Sequence, residues 1–225
     1  GDMLAIDDDF TIQLGDAVFG QGGDDTLHGD APSAGDDEDD DGVDVLFGGP
    51  GADKLYGGAG GLIEVPDQDF CLLWGNLLFG GGGDDLLRGD YEDWDAGQPR
   101  GGIDLAFGAA GVDTIEGGGG SIIVIGDLTS GQAVVIWFGN LLFGGPDDDT
   151  IRGADAADLS TCSNAALDGF LNGLGVNGLG GGADVLFGGG GDDTVDAYDG
   201  IDIVFGQDGD DTLRADMPGV VVAVN

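Results

Sequence analysis

An apolar pair followed by Phe-Gly recurs along the chain, with the phenylalanines at Phe19, Phe47, Phe79, Phe107, Phe143, Phe187 and Phe205. Internal repetition of this kind restricts a chain to stacked architectures, because a single unit cannot bury its apolar face except against its neighbours. The gaps of 28, 32, 28, 36, 44 and 18 residues are readable as an 18-residue unit interrupted by inserts, with 36 equal to two units and 32 to two units less four. That reading predicts about ten coils. Inserts are visible at residues 29–41 (GDAPSAGDDEDDD), at 89–101 (GDYEDWDAGQPRG) and, longest, within 156–181. Within the last, residues 164–174 have a weak short-helix pattern. Elsewhere apolar runs of three to six residues punctuated by Gly and Asp predict short strands and tight turns.

A longer period overlies the first. Residues 10–19 (FTIQLGDAVF), 70–79 (FCLLWGNLLF) and 134–143 (VVIWFGNLLF) align without a gap. Residues 61–65 (GLIEV), 120–125 (GSIIVI) and 219–224 (GVVVAV) close similar stretches. We therefore divide one domain, residues 1–225, into tandem copies at about 9–68, 69–132 and 133–225, a length that fits a single domain.

After each Phe-Gly a nine-residue pattern repeats. It reads GQGGDDTLH from Gly20, GGPGADKLY from Gly48, GGGGDDLLR from Gly80, GAAGVDTIE from Gly108, GGPDDDTIR from Gly144, GGGGDDTVD from Gly188 and GQDGDDTLR from Gly206. Glycine admits backbone angles closed to other residues, so a six-residue turn of this composition can aim several carbonyl oxygens inward. The sixth residue adds a carboxylate at Asp25, Asp53, Asp85, Asp113, Asp149, Asp193 and Asp211. Calcium takes six to eight oxygen ligands, and carbonyls with one or two carboxylates supply that chemistry. The eighth residue, apolar throughout, points into the core because strand side chains alternate faces. Simple turn formation does not explain why every one of these aspartates falls two residues before an apolar one.

The pattern resembles the repeats-in-toxin (RTX) calcium-binding nonapeptide, GGxGxDxUx with U a large apolar residue. A second series looks like the sixth residues of degenerate copies (GVDVLF, GIDLAF, GADVLF, GIDIVF): Asp16, Asp44, Asn76, Asp104, Asn140, Asp184 and Asp202. The resemblance covers most of residues 15–214. It implies an all-β fold, a right-handed parallel β-roll or β-solenoid, with several Ca2+ ions held between turns of successive coils on both edges. It further implies that both aspartate/asparagine series supply metal ligands. The pattern departs at Ala109, Ala110 and Asp147, and residues 57–61 and 117–121 have no sixth-position Asp, so these turns are candidates for being metal-free.

Composition narrows the partners. The chain carries 45 Asp+Glu against 5 Lys+Arg, a net charge of -40. Phosphate repels such a surface, which excludes nucleic acid and anionic membrane as partners. No apolar run of 18 residues exists to insert in a bilayer. Yet 41% of the residues are hydrophobic, so a core can form if cations neutralise the acids. No catalytic residue is assigned: His28 is the only histidine, the acid pairs sit in repeat turns, and no Gly-Lys-Ser/Thr follows the glycine-rich turns as phosphate binding requires. Cys71 and Cys162 fit a disulfide or a buried thiol equally. Trp74 and Trp137 read as core or interface, and the five basic residues are too scattered to form a site.

The two sheets should differ. Outward positions seven and nine of one strand are mostly polar, as at Thr26 and His28, Thr150 and Arg152, Thr212 and Arg214. On the other strand they are Ala17, Val45, Leu77, Leu105, Leu141, Val185 and Ile203, with the seven phenylalanines at nine. A strand apolar on both faces is normally covered on both, here either by the inserts or by another subunit. The calcium range of the sites suits the outside of a cell, so secretion is expected. The chain starts at Gly1 rather than Met, as a processed or truncated chain would. No polar cap is evident at either end, since MLAI (residues 3–6) opens the chain and GVVVAVN ends it. The expectation is a calcium-binding structural protein, not an enzyme, that assembles head-to-tail into an extracellular filament, with the alternative of a calcium-binding module of a larger secreted enzyme or adhesin.

Overall fold

The computed structural model describes residues 2–7, 10–30, 42–65, 70–90, 102–127, 132–157, 182–216 and 222–224. Among them every regular element is a strand. One parallel ladder joins β2 (Phe10–Phe19), β4 (Val43–Pro50), β7 (Phe70–Gly82), β9 (Ile103–Ala110), β12 (Leu141–Pro146), β14 (Val185–Gly190), β16 (Ile203–Asp208) and β18 (Val222–Val224). A second joins β3 (Thr26–His28), β5 (Lys54–Tyr56), β8 (Leu86–Arg88), β10 (Thr114–Asp127), β13 (Thr150–Ala157), β15 (Thr194–Asp199) and β17 (Thr212–Asp216). The chain alternates between the two ladders, which makes a parallel β-roll as expected.

The register corrects the coil count. Phe19 pairs with Phe47, and in turn Phe79, Phe107, Phe143, Phe187 and Phe205 follow as direct neighbours. Each gap is therefore one coil whatever its length, and the described residues stack seven coils rather than about ten. The surplus in the 32- and 36-residue gaps leaves the roll as antiparallel hairpins. β6 (Gly61–Val65) returns on β7, and the second half of β10 returns on β11 (Gln132–Phe138). β1 (Asp2–Asp7) pairs in the same way with the first half of β2. Further antiparallel pairings, β2 with β6 and β7 with β10, join the hairpins side by side. The three aligned segments beginning at 10, 70 and 134 thus have hairpin first halves and roll second halves. The third terminal stretch differs from the other two, because Val222 pairs parallel to Ile203 and continues the roll. The inserts 31–41 and 91–101, the proposed helix at 164–174 and Cys162 lie outside the described residues.

The core is chiefly the position-eight aliphatic residue of each strand, with Ala197 added from β15. Leu46, Leu78, Leu142, Leu186 and Val204 face Leu55, Leu87, Ile115, Ile151 and Val195, all essentially inaccessible. The alternating burial of β4, β9 and β12 is the period-two signature of strands. Outside the core, the seven phenylalanines form one continuous stack, with ring centroids 4.7 to 5.2 Å apart and planes within 8° of parallel. The stack is half-buried except at Phe19, which is 61% exposed. Trp74, expected in core or interface, is 44% exposed. On the other ladder Glu116 lies between Arg88 (2.6 Å) and Arg152 (2.5 Å), so two of the scattered cations serve cross-strand pairing.

A core this thin makes each position-eight residue matter. In calcium, Leu142→Ala should destabilise the protein by about 3 kcal/mol, whereas Thr194→Ala on the exposed face should change it by less than about 0.5 kcal/mol. Urea denaturation at saturating calcium measures both, and equal effects would contradict the assignment of Leu142 to the core.

Candidate metal sites along the two edges

Between the Phe strand and the following strand of the second ladder, each coil turns through the nonapeptide. Its second and fourth residues hold positive φ in every copy. Glycine fills most of these positions, and where it does not the backbone is unchanged: Ala109 has φ 80° and Asp147 has φ 86°. A left-handed residue other than glycine costs about 1 kcal/mol or more, which the rest of the turn sustains. These departures from the sequence pattern therefore do not break the series. Main-chain bonds tie the turns coil to coil, as from the Gly51 N–H to the Gly82 carbonyl (2.7 Å) and from the Gly83 N–H to the Ala110 carbonyl (2.7 Å).

On this edge the seven predicted aspartates form a ladder. The backbone N–H of Asp25 donates to Oδ1 of Asp53 at 2.8 Å, and the N–H of Asp53 to Oδ1 of Asp85 at 2.8 Å. The series continues through Asp113, Asp149, Asp193 and Asp211 at 2.8 to 3.1 Å. Each Oδ1 thus fastens its coil to the preceding one. The other oxygen does something else. Oδ2 of Asp25, Asp53, Asp85, Asp113, Asp149 and Asp193 is buried and makes no hydrogen bond. A buried carboxylate oxygen left in that condition is costly.

The orphaned oxygens share their surroundings with carbonyls. A Cβ placed on Gly20, Gly48, Gly80, Gly144 or Gly188 would collide with Oδ2 of the aspartate in its own repeat. It would also lie 2.6 to 2.9 Å from the carbonyl oxygen of the equivalent glycine one coil on. Only glycine leaves that space open. Oxygen acceptors converge there without a donor, the donor set a hard divalent cation requires. No group of three His, Cys, Asp or Glu side chains among the described residues could hold a metal, so an ion on this edge is bound chiefly by main-chain oxygens plus the position-six carboxylate. The residues fit calcium.

On the opposite edge the second predicted series is also brought into one ladder. N–H groups of Asp16, Asp44, Asn76, Asp104, Asn140 and Asp184 donate to Oδ1 of Asp44, Asn76, Asp104, Asn140, Asp184 and Asp202 respectively. This edge is less uniform. Oδ2 of Asp104 is buried without a hydrogen bond, whereas Oδ2 of Asp184 accepts from the Ala154 N–H at 2.9 Å. At the start of the ladder Asp16 is exposed. Two residues escaped the sequence reading. Asp30 accepts from the Ala59 N–H (2.6 Å) and Asp90 from the Gly119 N–H (3.0 Å), both nearly buried. Each follows a glycine directly after a strand of the second ladder, a signal obscured by assigning both to the inserts.

Burial without a counter-ion shifts these acids upward. Desolvation pushes Asp85 and Asp113 to about 6 and Asp149 and Asp184 to about 7, from an ordinary 3.8. Neighbouring carboxylates add to the rise, and the N–H bond from the preceding coil opposes it. Asp104 is raised well above the usual range by burial and then by the charge of Asp90.

The family model for the RTX calcium-binding nonapeptide repeat matches residues 15–31, 38–61, 75–91, 100–121, 137–159 and 179–216, together more than half of the chain. Two of the breaks between matches, at 62–74 and 122–136, fall where the hairpins leave the roll, and the others fall in the inserts. No curated protein and no solved structure matches the chain.

Two outcomes follow from the edge chemistry. In calcium-free buffer the folded acids hold protons that the unfolded chain has released, so stability is greatest below about pH 4 and is lost as pH rises through 6 to 7. Calcium needs the ionised form and should reverse the order. Urea midpoints at about pH 5 and about pH 7.5 should therefore rank oppositely with and without calcium, and the same ranking in both would refute the assignment. Gly48→Ala should fill the cradle shared by Asp53 and Gly80 and remove about one bound ion, counted by equilibrium dialysis.

Proposed function

Because the chain belongs to the RTX calcium-binding nonapeptide repeat family, we propose that it works outside the cell as a structural protein that folds on calcium and stacks head-to-tail into a filament. The calcium-binding β-roll itself is the family's module. The outside of a cell supplies calcium at the concentrations that many modest, carbonyl-rich sites need, and the cytosol does not. The role is structural rather than catalytic: His28 stacks on the buried Tyr56, with centroids 5.0 Å apart, and the position-six acids are committed to the edges.

The observation that supports end-to-end stacking is the open first coil. Phe19 is 61% exposed, at a strand whose residues Ala17–Phe19 have a parallel partner on one side only among the described residues. At the other end, among the described residues, β17 pairs only with β15 and β18 only with β16. An unpaired parallel edge with an exposed ring accepts the opposite edge of another copy. The half-buried phenylalanine column then offers a lateral contact between filaments.

Circular dichroism tests the first half of the proposal. The calcium-stripped chain at neutral pH should have little β signal and regain it on adding calcium, because metal binding supplies the folding energy; a β-rich spectrum in chelator overturns folding on calcium. Electron microscopy in millimolar calcium tests the second. Fibres with a subunit repeat of about 35 Å are expected from seven coils at about 4.8 Å each, and Phe19→Asp should shorten them. Isolated rods at high concentration would instead favour a calcium-binding module of a larger secreted protein.

A further inference from the structure

From Asp44 to Asn140 the second edge alternates in chemistry from coil to coil. Turns that lead into the inserts at 31–41 and 91–101 end on Asp44 and Asp104, while those that carry the hairpins at 61–74 and 121–138 end on Asn76 and Asn140. Gly29, Gly57, Gly89 and Gly117 occupy equivalent positions on this edge. A Cβ on Gly89 would strike Oδ2 of Asp104 and the Gly117 carbonyl, two acceptors with nothing between them. A Cβ on Gly57 would strike Nδ2 of Asn76 and the Gly89 carbonyl, a donor and an acceptor. On Gly117 it would strike Nδ2 of Asn140. The asparagine nitrogen therefore stands where the aspartate oxygen stands in the neighbouring coil.

The amide orientation is dictated by the ladder. Oδ1 of Asn76 accepts from the Asp44 N–H at 2.9 Å and Oδ1 of Asn140 from the Asp104 N–H at 2.8 Å, so each NH2 must face the other way. Facing that way, Nδ2 of Asn76 donates to the carbonyls of Gly58 and Gly89, each at 3.3 Å, and Nδ2 of Asn140 to the Gly119 carbonyl at 3.4 Å. Both asparagines are fully buried. In the same turns the Ala59 and Gly119 N–H groups are taken by Asp30 and Asp90 of the preceding coils. The Ala59 and Gly119 N–H groups and the Gly58, Gly89 and Gly119 carbonyls are thus matched by side chains.

We infer that the two hairpin-bearing turns are closed by asparagine amides in place of calcium, so that Asn76 and Asn140 are substitutes for the ion and not ligands to it. This departs from the expectation that all fourteen position-six residues bind metal. An amide hydrogen aimed at the centre of the site repels a cation, and the Gly58, Gly89 and Gly119 carbonyls already have a donor in it. The closed turns also remove two buried negative charges from a ladder that has no cationic side chains, and they leave the hairpin bases joined when calcium is absent. The inference rests on the calcium reading of the acidic turns, and its test separates the two.

Bound calcium is counted by equilibrium dialysis on the full chain, at saturating calcium, for the native protein, Asn76→Asp/Asn140→Asp, Asn76→Ala/Asn140→Ala and Asp53→Asn. The paired Asp variant should gain about one ion per substituted turn. The paired Ala variant should bind the native number of ions while lowering its urea midpoint at saturating calcium. An unchanged count in the Asp variant, or a lower count in the Ala variant, overturns the inference. Asp53→Asn should lose an ion; if it does not, or if the native protein binds none, the calcium reading fails and takes the inference with it.

Discussion

A carboxylate whose two oxygens meet different fates is the constraint on which the roll depends. One oxygen accepts the N–H of the equivalent residue one coil back, which sets the register; the other is buried beside carbonyls and finds no donor. Successive carboxylates sit one coil apart, about 4.8 Å, where like charges repel by about 3 kcal/mol at an effective dielectric near 20. One full ladder of this kind and a partial one on the other edge, in a chain with 45 acids and 5 bases, cannot be neutralised internally. The interaction that aligns the coils therefore also creates the demand for cations, and register and metal binding become one property.

Glycine makes that arrangement possible for two separable reasons. At the second and fourth positions it relieves the backbone, and there Ala109 and Asp147 take its place at a modest cost in strain. At the first position it keeps empty the space in which the carboxylate and the next coil's carbonyl converge. Substitution in the first class strains a turn, while substitution in the second fills a site.

The core contributes little by comparison. Each coil buries two aliphatic side chains, and the strands of the second ladder are as short as three residues. A structure with so little apolar depth needs fastening of another kind, as small domains generally do. The phenylalanine stack supplies some on the outside, since offset aromatic pairs contribute about 0.5 to 1.5 kcal/mol each beyond burial. The antiparallel hairpins supply more, because they form from neighbouring residues and project from turns that need no ion.

Much of this was legible in the sequence, and the boundary of legibility has a physical cause. The nonapeptide specified its turn, the aspartate at six, the core residue at eight and the outward phenylalanines, because a turn and the alternation of a strand are decided within about nine residues by backbone geometry and side-chain direction. How many coils there are, which of residues 61–65, 120–125 and 219–224 fold back and which continues the roll, and which way the amides of Asn76 and Asn140 face were settled only in three dimensions. Those features depend on hydrogen bonds between residues 18 to 44 positions apart. A strand that can pair parallel with the next coil or antiparallel with its own hairpin carries the same alternating pattern in either case.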